Sequence, residues 1–499
     1  MLNVIVEFSK YFLLLLMLLF TLESFLVLSK KNEEARRSLM LKQIIVMIIF
    51  TFTAYFIMFL QSQEPQMVMM YLYNMGYILV VQILYRLIYR KASLVLLNNM
   101  CMLLSIGFII LSRLDIEKAY KQFIIVAGST IISFLVPVFI RKVKFVRDIT
   151  WFYAVVGITL LLVVFVMAQL SGGAKLSISI GGVTFQFSEF VKITLVFYMA
   201  GMLQEDTSFR RVFFTSVVAA MHVGILVLST DLGTALVYFI AYVVVVYVAT
   251  HKMRYPLAGL AAMSGASVLA YHLFNHVKQR VDIWRDPFSD YEYSGYQIVQ
   301  ALFGICAGGW FGTGLFKGSP KSIPLADKDF TFAAICEEFG GAFAICLILL
   351  CMSTFLLIVN ISMKLNKSFY RLIAMGLGVE YAFQVFLTIG GTTKFIPMTG
   401  ITLPLVSYGG SSVMCTILML SIIQGLYVLR EDEDEELEAE RRKKAKQKLK
   451  KAKQSKQPGQ QPVRPTGPVQ RRSQGPTASQ DNDELTRKIE EQTKKSLHW

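Results

Sequence analysis

The stretch DLGTALVYFIAYVVVVYVATHKMR (231–254) holds the pattern from which the fold is read. Asp231 heads it, an apolar run reaches Thr250, and Lys252 and Arg254 close it. About 20 residues at 1.5 Å each cross roughly 30 Å of hydrocarbon, so the stretch predicts a membrane-spanning helix with a basic exit. The same pattern recurs along the chain. Thirteen spans are predicted, at about 11–29, 41–61, 68–88, 96–112, 122–140, 151–169, 189–204, 212–229, 231–250, 255–274, 330–359, 369–391 and 404–429. The span at 189–204 is short, and Asp231 opens its span almost without a loop, so either span is a candidate half-helix or re-entrant turn.

Composition agrees with this reading. Apolar residues make up 55% of the 499 residues and charged ones 17%, and the mean hydropathy is +0.53. A soluble chain needs more polar surface than that, whereas lipid covers the outside of a membrane protein. Basic residues follow every odd-numbered span: Lys30 to Lys42, Arg86 to Lys91, Arg141 to Arg147, Arg210 and Arg211, Lys252 and Arg254, and Lys364 to Arg371. That bias predicts those loops and the C-terminus in the cytoplasm and the N-terminus outside. The net charge of +16 therefore reads as membrane orientation and not as nucleic-acid binding, since residues 431–499 hold 17 basic and 13 acidic groups. The six cysteines form no CxxC pair and read as small apolar groups in helix packing.

Two segments outside the membrane are long. Residues 276–328 follow an even-numbered span, face the exterior, and are rich in Trp, Tyr, Phe and Gly, which predicts a segment folded against the outer surface. The tail opens with an acidic run at 431–436 and continues with ten Lys or Arg within 441–456. Residues 431–456 are expected to extend the last helix, and the basic run reads as a solvated spacer or a contact for anionic lipid headgroups. The remainder reads as disordered, with a short helix near 482–495. The chain thus divides into 1–95, 96–430 and 431–499.

Charged groups at membrane depth invite a functional reading. Glu189 and Lys192 lie one helical turn apart and are placed to pair. Asp231 suits a helix N-terminus as well as a site, and Glu337 and Glu338 lie about two turns into the eleventh span. A structural ion pair or cap is the competing reading for each. Outside, the carboxylates Asp282, Asp286, Asp290 and Glu292 alternate with aromatics and with Arg280 and Arg285, and Lys317, Lys321 and Lys328 add positive charge for an anionic headgroup. A second outer segment, GGTTKFIPMTGITLPLVSYGGSS (390–412), puts Lys394 and hydroxyls such as Ser407 at the mouth of the last span. No P-loop, HExxH or Rossmann glycine motif is present, so no nucleotide cofactor is indicated.

At these segments the sequence resembles the SEDS family (shape, elongation, division and sporulation), whose members include FtsW, RodA and SpoVE. The resemblance runs from about 97 to 430. It rests on Arg113, Leu114 and Gln122, on FQFSEFVK (185–192) and STDLGTAL (229–236), on the outer pattern ending in SGYQ (280–297), on DFTFAAICEE (329–338) and on TGITLPLVSYGGSS (399–412). It implies an all-α membrane fold of the GT-C-like kind, with ten core helices and three added at the N-terminus. It also implies a peptidoglycan glycosyltransferase that polymerises lipid II on the outer face of a bacterial cytoplasmic membrane, working beside a class B penicillin-binding protein.

The family's essential aspartate lies just before the SGYQ-type motif, and counting back from Gly295 gives Asp290. Tyr291-Glu292-Tyr293 departs from the commoner pattern there, so Asp286 and Glu292 remain rivals. With Asp290 as general base, one carboxylate and an α-linked donor predict inversion. The leaving pyrophosphate needs positive charge, from Arg280, Lys317, Lys328 or Lys394 or from a divalent cation such as Mg or Mn. A lipid II flippase, with Glu189, Lys192, Asp231, Glu337 and Glu338 along a headgroup path, and a division scaffold acting through its tail are the competing functions.

Overall fold

The computed structural model describes residues 2–30, 32–142, 147–170, 178–180 and 183–454. The chain divides into two compact units, Met1–Glu436 and Leu437–Trp499. The helices in chain order are α1 (Leu2–Ser29), α2 (Glu33–Ser62), α3 (Pro65–Ile88), α4 (Leu94–Leu114), α5 (Ile116–Ser133), α6 (Leu135–Lys142) and α7 (Thr150–Leu170). A pair of three-residue antiparallel strands, β1 (Ile178–Ile180) and β2 (Val183–Phe185), precedes α8 (Phe187–Leu203). Then come α9 (Phe209–Leu228), α10 (Leu232–Thr250), α11 (Arg254–Leu273), α12 (Asn275–Arg285), α13 (Tyr296–Gly308), α14 (Thr331–Phe339), α15 (Gly341–Lys364), α16 (Ser368–Thr392) and α17 (Gly410–Gln454).

Among the described residues twelve helical segments are long and apolar enough to cross a membrane, α5 and α6 counting as one. The remaining expected span, the seventh at 189–204, is α8. Its 17 residues are about 26 Å long, short of a full crossing. Membrane-type packing is visible in the burial. Helix α4 is buried along almost its whole length, whereas α11 buries no residue and turns its leucines and valine outward.

Two predicted spans are broken. The fifth divides at Phe134, because Pro137 in α6 has no N–H for the Ser133 carbonyl and its ring crowds that carbonyl. Ser421 Oγ from α17 donates to the freed carbonyl at 2.6 Å. The eleventh, expected as one helix over 330–359, is two helices, and Glu337 and Glu338 lie at the C-terminal end of the short α14. Gly340 makes the break with φ 90°, and a Cβ there would lie 2.3 Å from the Gly312 nitrogen. The outer backbone approaches too closely for any other residue.

The outer segment 276–328 is folded, containing α12, α13 and a 3-10 turn at Pro320–Ser322. The acidic run does extend the last helix, which reaches Gln454. The helix expected near 482–495 lies outside the described residues.

The three N-terminal helices join the same compact unit as the rest through a buried polar ladder. Gln43 of α2 donates to Ser24 of α1 at 2.9 Å, and Ser24 donates to Asn99 of α4 at 3.1 Å. Asn99 donates in turn to Thr354 of α15 at 3.2 Å. Asn98 donates to Gln43 at 2.9 Å and accepts from Gln82 of α3 at 2.7 Å. In an apolar surrounding each such amide needs its partner, so the ladder fixes register as well as contact. Five of the six cysteines are buried, and all six are unpaired.

Near the start of α4, the first acidic residues of the tail collect basic groups from two loops and the end of α6. Lys91 reaches Asp432 and Glu435, both at 2.7 Å, Arg141 reaches Asp432 at 2.6 Å, and Lys367 reaches Glu433 at 2.8 Å.

Candidate active site

The turn that carries Asp290 is built by its neighbours. Helix α12 ends at Arg285 and is capped by Asp286, whose N–H donates to the Asp282 carbonyl and whose Oδ1 accepts from the Phe288 N–H at 3.1 Å. The chain then folds back so that the Gly295 N–H donates to the Asp290 carbonyl at 2.9 Å. A Cβ on Gly295 would lie 2.0 Å from the Pro287 carbonyl oxygen, so only glycine closes this turn. Asp290 Oδ2 accepts from the Ser294 N–H at 3.2 Å and from the Ser294 hydroxyl, which sets the carboxylate plane. Its Oδ1 takes no hydrogen bond from any described residue.

Asp290 lines a cleft of about 400 Å³ together with Asn275, Lys278, Gln279, Asp282, Ile283, Ser289 and Ser294. Positions 275, 278, 279 and 282 recur at three and four residues and form one face of α12. The other face, His276, Arg280 and Trp284, turns towards the 394–399 loop. Arg280 donates to the Met398 and Thr399 carbonyls at 3.4 and 3.3 Å, and Trp284 Nε1 donates to the Lys394 carbonyl at 3.1 Å. Lys394, at φ 59°, returns a bond to the Arg285 carbonyl at 3.3 Å. Burial, with Arg280 beside it, holds the His276 imidazole below its ordinary pKa. Thus two of the four cations expected at the site, Arg280 and Lys394, dock α12 and are not in the cleft lining. Asp286 is occupied by its turn, and Glu292 is exposed and outside the lining.

The remaining predicted residues are distributed over the outer face and the interior. Lys317 faces Glu7 of α1 at 3.7 Å, and Lys328 is exposed with no ion pair to a described residue. Glu338 is buried and takes Arg113 Nε at 2.7 Å, while Arg113 also donates to the Gly318 carbonyl at 3.0 Å and covers the Phe316 ring. Glu337 Oε1 accepts from the Ser319 N–H at 2.6 Å. Both glutamates therefore hold the glycine-rich loop 309–319. Ser407 is buried, its Oγ accepting from the Leu403 N–H at 3.0 Å and its carbonyl from Gln122 at 3.1 Å. Asp329, which opens the DFTFAAICEE motif but was not singled out in the sequence, is half-buried beside Thr392 and Gly400. Burial pushes its carboxyl above the ordinary range, against the pull of Lys328 and Arg280.

Deeper in the bundle, Lys192 pairs with Glu189 at 2.5 Å and donates to Gln384 of α16 at 2.9 Å. Gln384 continues to the Thr402 carbonyl and to Ser412, at 3.1 and 3.2 Å. Asp231 caps α10 through the Thr234 N–H and accepts from Gln186 and Ser188, each at 3.2 Å. Glu380 belongs to the same centre and was missed in the sequence. It is 0% exposed, Lys192 is its attractive electrostatic neighbour, and neither carboxylate oxygen has a described hydrogen-bond partner. A carboxylate inside a predicted span was the signal that would have found it.

Comparison with known proteins adds a lineage. Residues 85–431 match the family model for FtsW, RodA and SpoVE, described as cell cycle proteins. The peptidoglycan glycosyltransferase RodA of Mycobacterium tuberculosis H37Rv is 36% identical over 271 residues, 50% of this chain and 57% of the relative. The chain thus spans under two thirds of the mycobacterial relatives it matches. The probable peptidoglycan glycosyltransferase FtsW of Pseudoalteromonas translucida is 30% identical over 361 residues, 68% of this chain and 88% of the relative. Stage V sporulation protein E of Bacillus subtilis is 29% identical over 318 residues, 61% of this chain and 85% of the relative. Among solved structures, a chain of a peptidoglycan synthase complex that coordinates polymerization and crosslinking superposes with TM-score 0.59 at 25% identity, over 68% of this chain and 98% of that one. RodA of Thermus thermophilus does so with TM-score 0.51 at 23% identity, over 67% and 96%, a likeness of fold.

Proposed function

Because the chain belongs to the FtsW, RodA and SpoVE family of cell cycle proteins, we propose that it is a peptidoglycan glycosyltransferase that polymerises lipid II on the outer face of a bacterial cytoplasmic membrane. The observation that carries the reading is the Asp290 cleft. A carboxylate is fixed at one oxygen by Ser294, left without a described partner at the other, and faces a space large enough for a sugar. Asp290 Oδ1 takes the proton of the acceptor sugar hydroxyl as that oxygen attacks the anomeric carbon of the donor. The bond from that carbon to the lipid pyrophosphate breaks with its electron pair on the pyrophosphate. Attack on the face opposite the leaving group turns an α-linked donor into a β-linked strand.

A divalent ion such as Mg or Mn fits only in a limited way. Among the described residues no three His, Cys, Asp or Glu side chains stand together as a metal site. Asp282, in the cleft lining, is the carboxylate that would help hold an ion carried mainly by the substrate's own phosphates. Such an ion would supply charge neutralisation of the leaving group.

The placement of the cleft outside is supported by the gathering of Lys91, Arg141 and Lys367, from three exits read as cytoplasmic, around the start of the tail. A class B penicillin-binding protein, which would crosslink the strands, is the proposed partner within the lipid bilayer. The role, in division, elongation or sporulation, is set by where the protein localises.

Lipid II polymerisation by the purified protein tests the reading. Asp290→Asn and Asp290→Ala are expected to lose at least about 100-fold in rate, the usual worth of a general base. Full activity in both would remove Asp290 from the chemistry. The buried Glu189–Lys192–Gln384 centre favours a second reading, movement of lipid II across the membrane. A vesicle flipping assay run beside the polymerisation assay separates them.

A further inference from the structure

We propose that Lys278 is the anion-binding residue of the Asp290 cleft, with its ammonium taking the pyrophosphate of the lipid-linked donor. The inference rests on the polymerase reading above. Chemistry sets the requirement. As the anomeric bond breaks, negative charge builds on the pyrophosphate, and two carboxylates already line the cleft, Asp282 and Asp290. Without a cation nearby, the donor would be repelled and the leaving group left uncompensated.

Three observations place that cation on Lys278. Among the described residues lining the cleft it is the one with a positive charge. Three of the basic residues around it are engaged elsewhere, and Arg285 and Lys328, exposed and without an ion pair to a described residue, are outside the cleft lining. Arg280, two positions on and about 160° round the helix, donates to the 398–399 carbonyls, Lys394 donates to Arg285, and Lys317 faces Glu7. Lys278 itself is exposed and forms no ion pair with a described residue, so its ammonium is available to a ligand. Asn275 and Gln279, on the same face, supply neutral amide donors beside it, a combination suited to a phosphate ester with an attached sugar. A lysine is a flexible point charge, which suits a group that must arrive, change charge and leave.

The test uses the full chain in detergent or nanodiscs, with lipid II at varied concentration and free divalent cation held constant. Lys278→Ala and Lys278→Gln are expected to raise KM for lipid II about tenfold or more, and Lys278→Arg to recover most of it. Inorganic pyrophosphate serves as the second probe. It is expected to compete with lipid II on the wild type and to need about tenfold higher concentration on Lys278→Ala. Lys252→Ala, an exposed lysine between α10 and α11, is the control for loss of surface charge. Wild-type KM and unchanged pyrophosphate inhibition in Lys278→Ala overturn the proposal, as does failure of pyrophosphate to compete on the wild type. If Lys278→Ala fails while Asp290→Asn is inactive, the polymerase reading stands and the anion site does not. If Asp290→Asn keeps full turnover, the base role falls, and the pyrophosphate competition still decides Lys278.

Discussion

Glu380 sits near the middle of α16 with no described hydrogen-bond partner at either oxygen, while the neighbouring Lys192 is already matched by Glu189 and Gln384. The centre thus holds two carboxylates against one ammonium. Burying an ion that others do not balance is costly, whereas an amide of the same shape carries a far smaller penalty. Glu380→Gln is therefore expected to hold or raise the thermal midpoint in detergent. Lys192→Met, which strands Glu189, is expected to cost about 3–5 kcal/mol. A midpoint several degrees lower in Glu380→Gln would refute this account of the cluster. The pair at 189 and 192 was legible from helical spacing, and Asp290 from its motif. Glu380 is flanked by apolar residues and belongs to no motif, so only the rule against charge at depth points to it.

Helix α12 shows what reading by elements adds. Read as a loop, 276–285 offers Arg280 and Asp282 on equal terms. Read at 3.6 residues per turn, it separates a cleft face from a docking face, and the charge that matters moves from Arg280 to Lys278. The breaks at Phe134 and Gly340 divide in the same way. Pro137 signals the first locally, but the second follows from the approach of the 310–312 backbone, which no local pattern encodes. The N-terminal helices teach a related lesson, since the family match begins near the end of α3. Their buried amides join α4, whose Asn99 reaches α15, so they behave as part of the bundle. Asn98→Leu would leave Gln43 and Gln82 short of a partner, with an expected loss of roughly 2–6 kcal/mol at about 1–3 for each orphaned group. Thermal unfolding in detergent measures it, and an unchanged midpoint would mean that the ladder only fills space.

Across the whole molecule, thirteen apolar segments and their alternating basic exits were readable because lipid enforces length and charge rules on every span. What gathers at each end was not readable, since it depends on which loops meet. The acidic start of the tail meets Lys91, Arg141 and Lys367, pairs that are each worth about 0–1 kcal/mol at a surface. A chain ending after Arg430 is expected to be less stable than one ending after Glu436 by roughly 1–3 kcal/mol, with the gap narrowing as salt rises. Equal midpoints at low salt would show the pairs to be incidental. The arrangement also has a consequence in time. A chain made from its N-terminus presents Lys91, Arg141 and Lys367 before residues 432–435 exist to meet them. Those cations stay without their tail partners until residues 432–435 are made, so closure of this face comes only after the last span of the bundle has been synthesised.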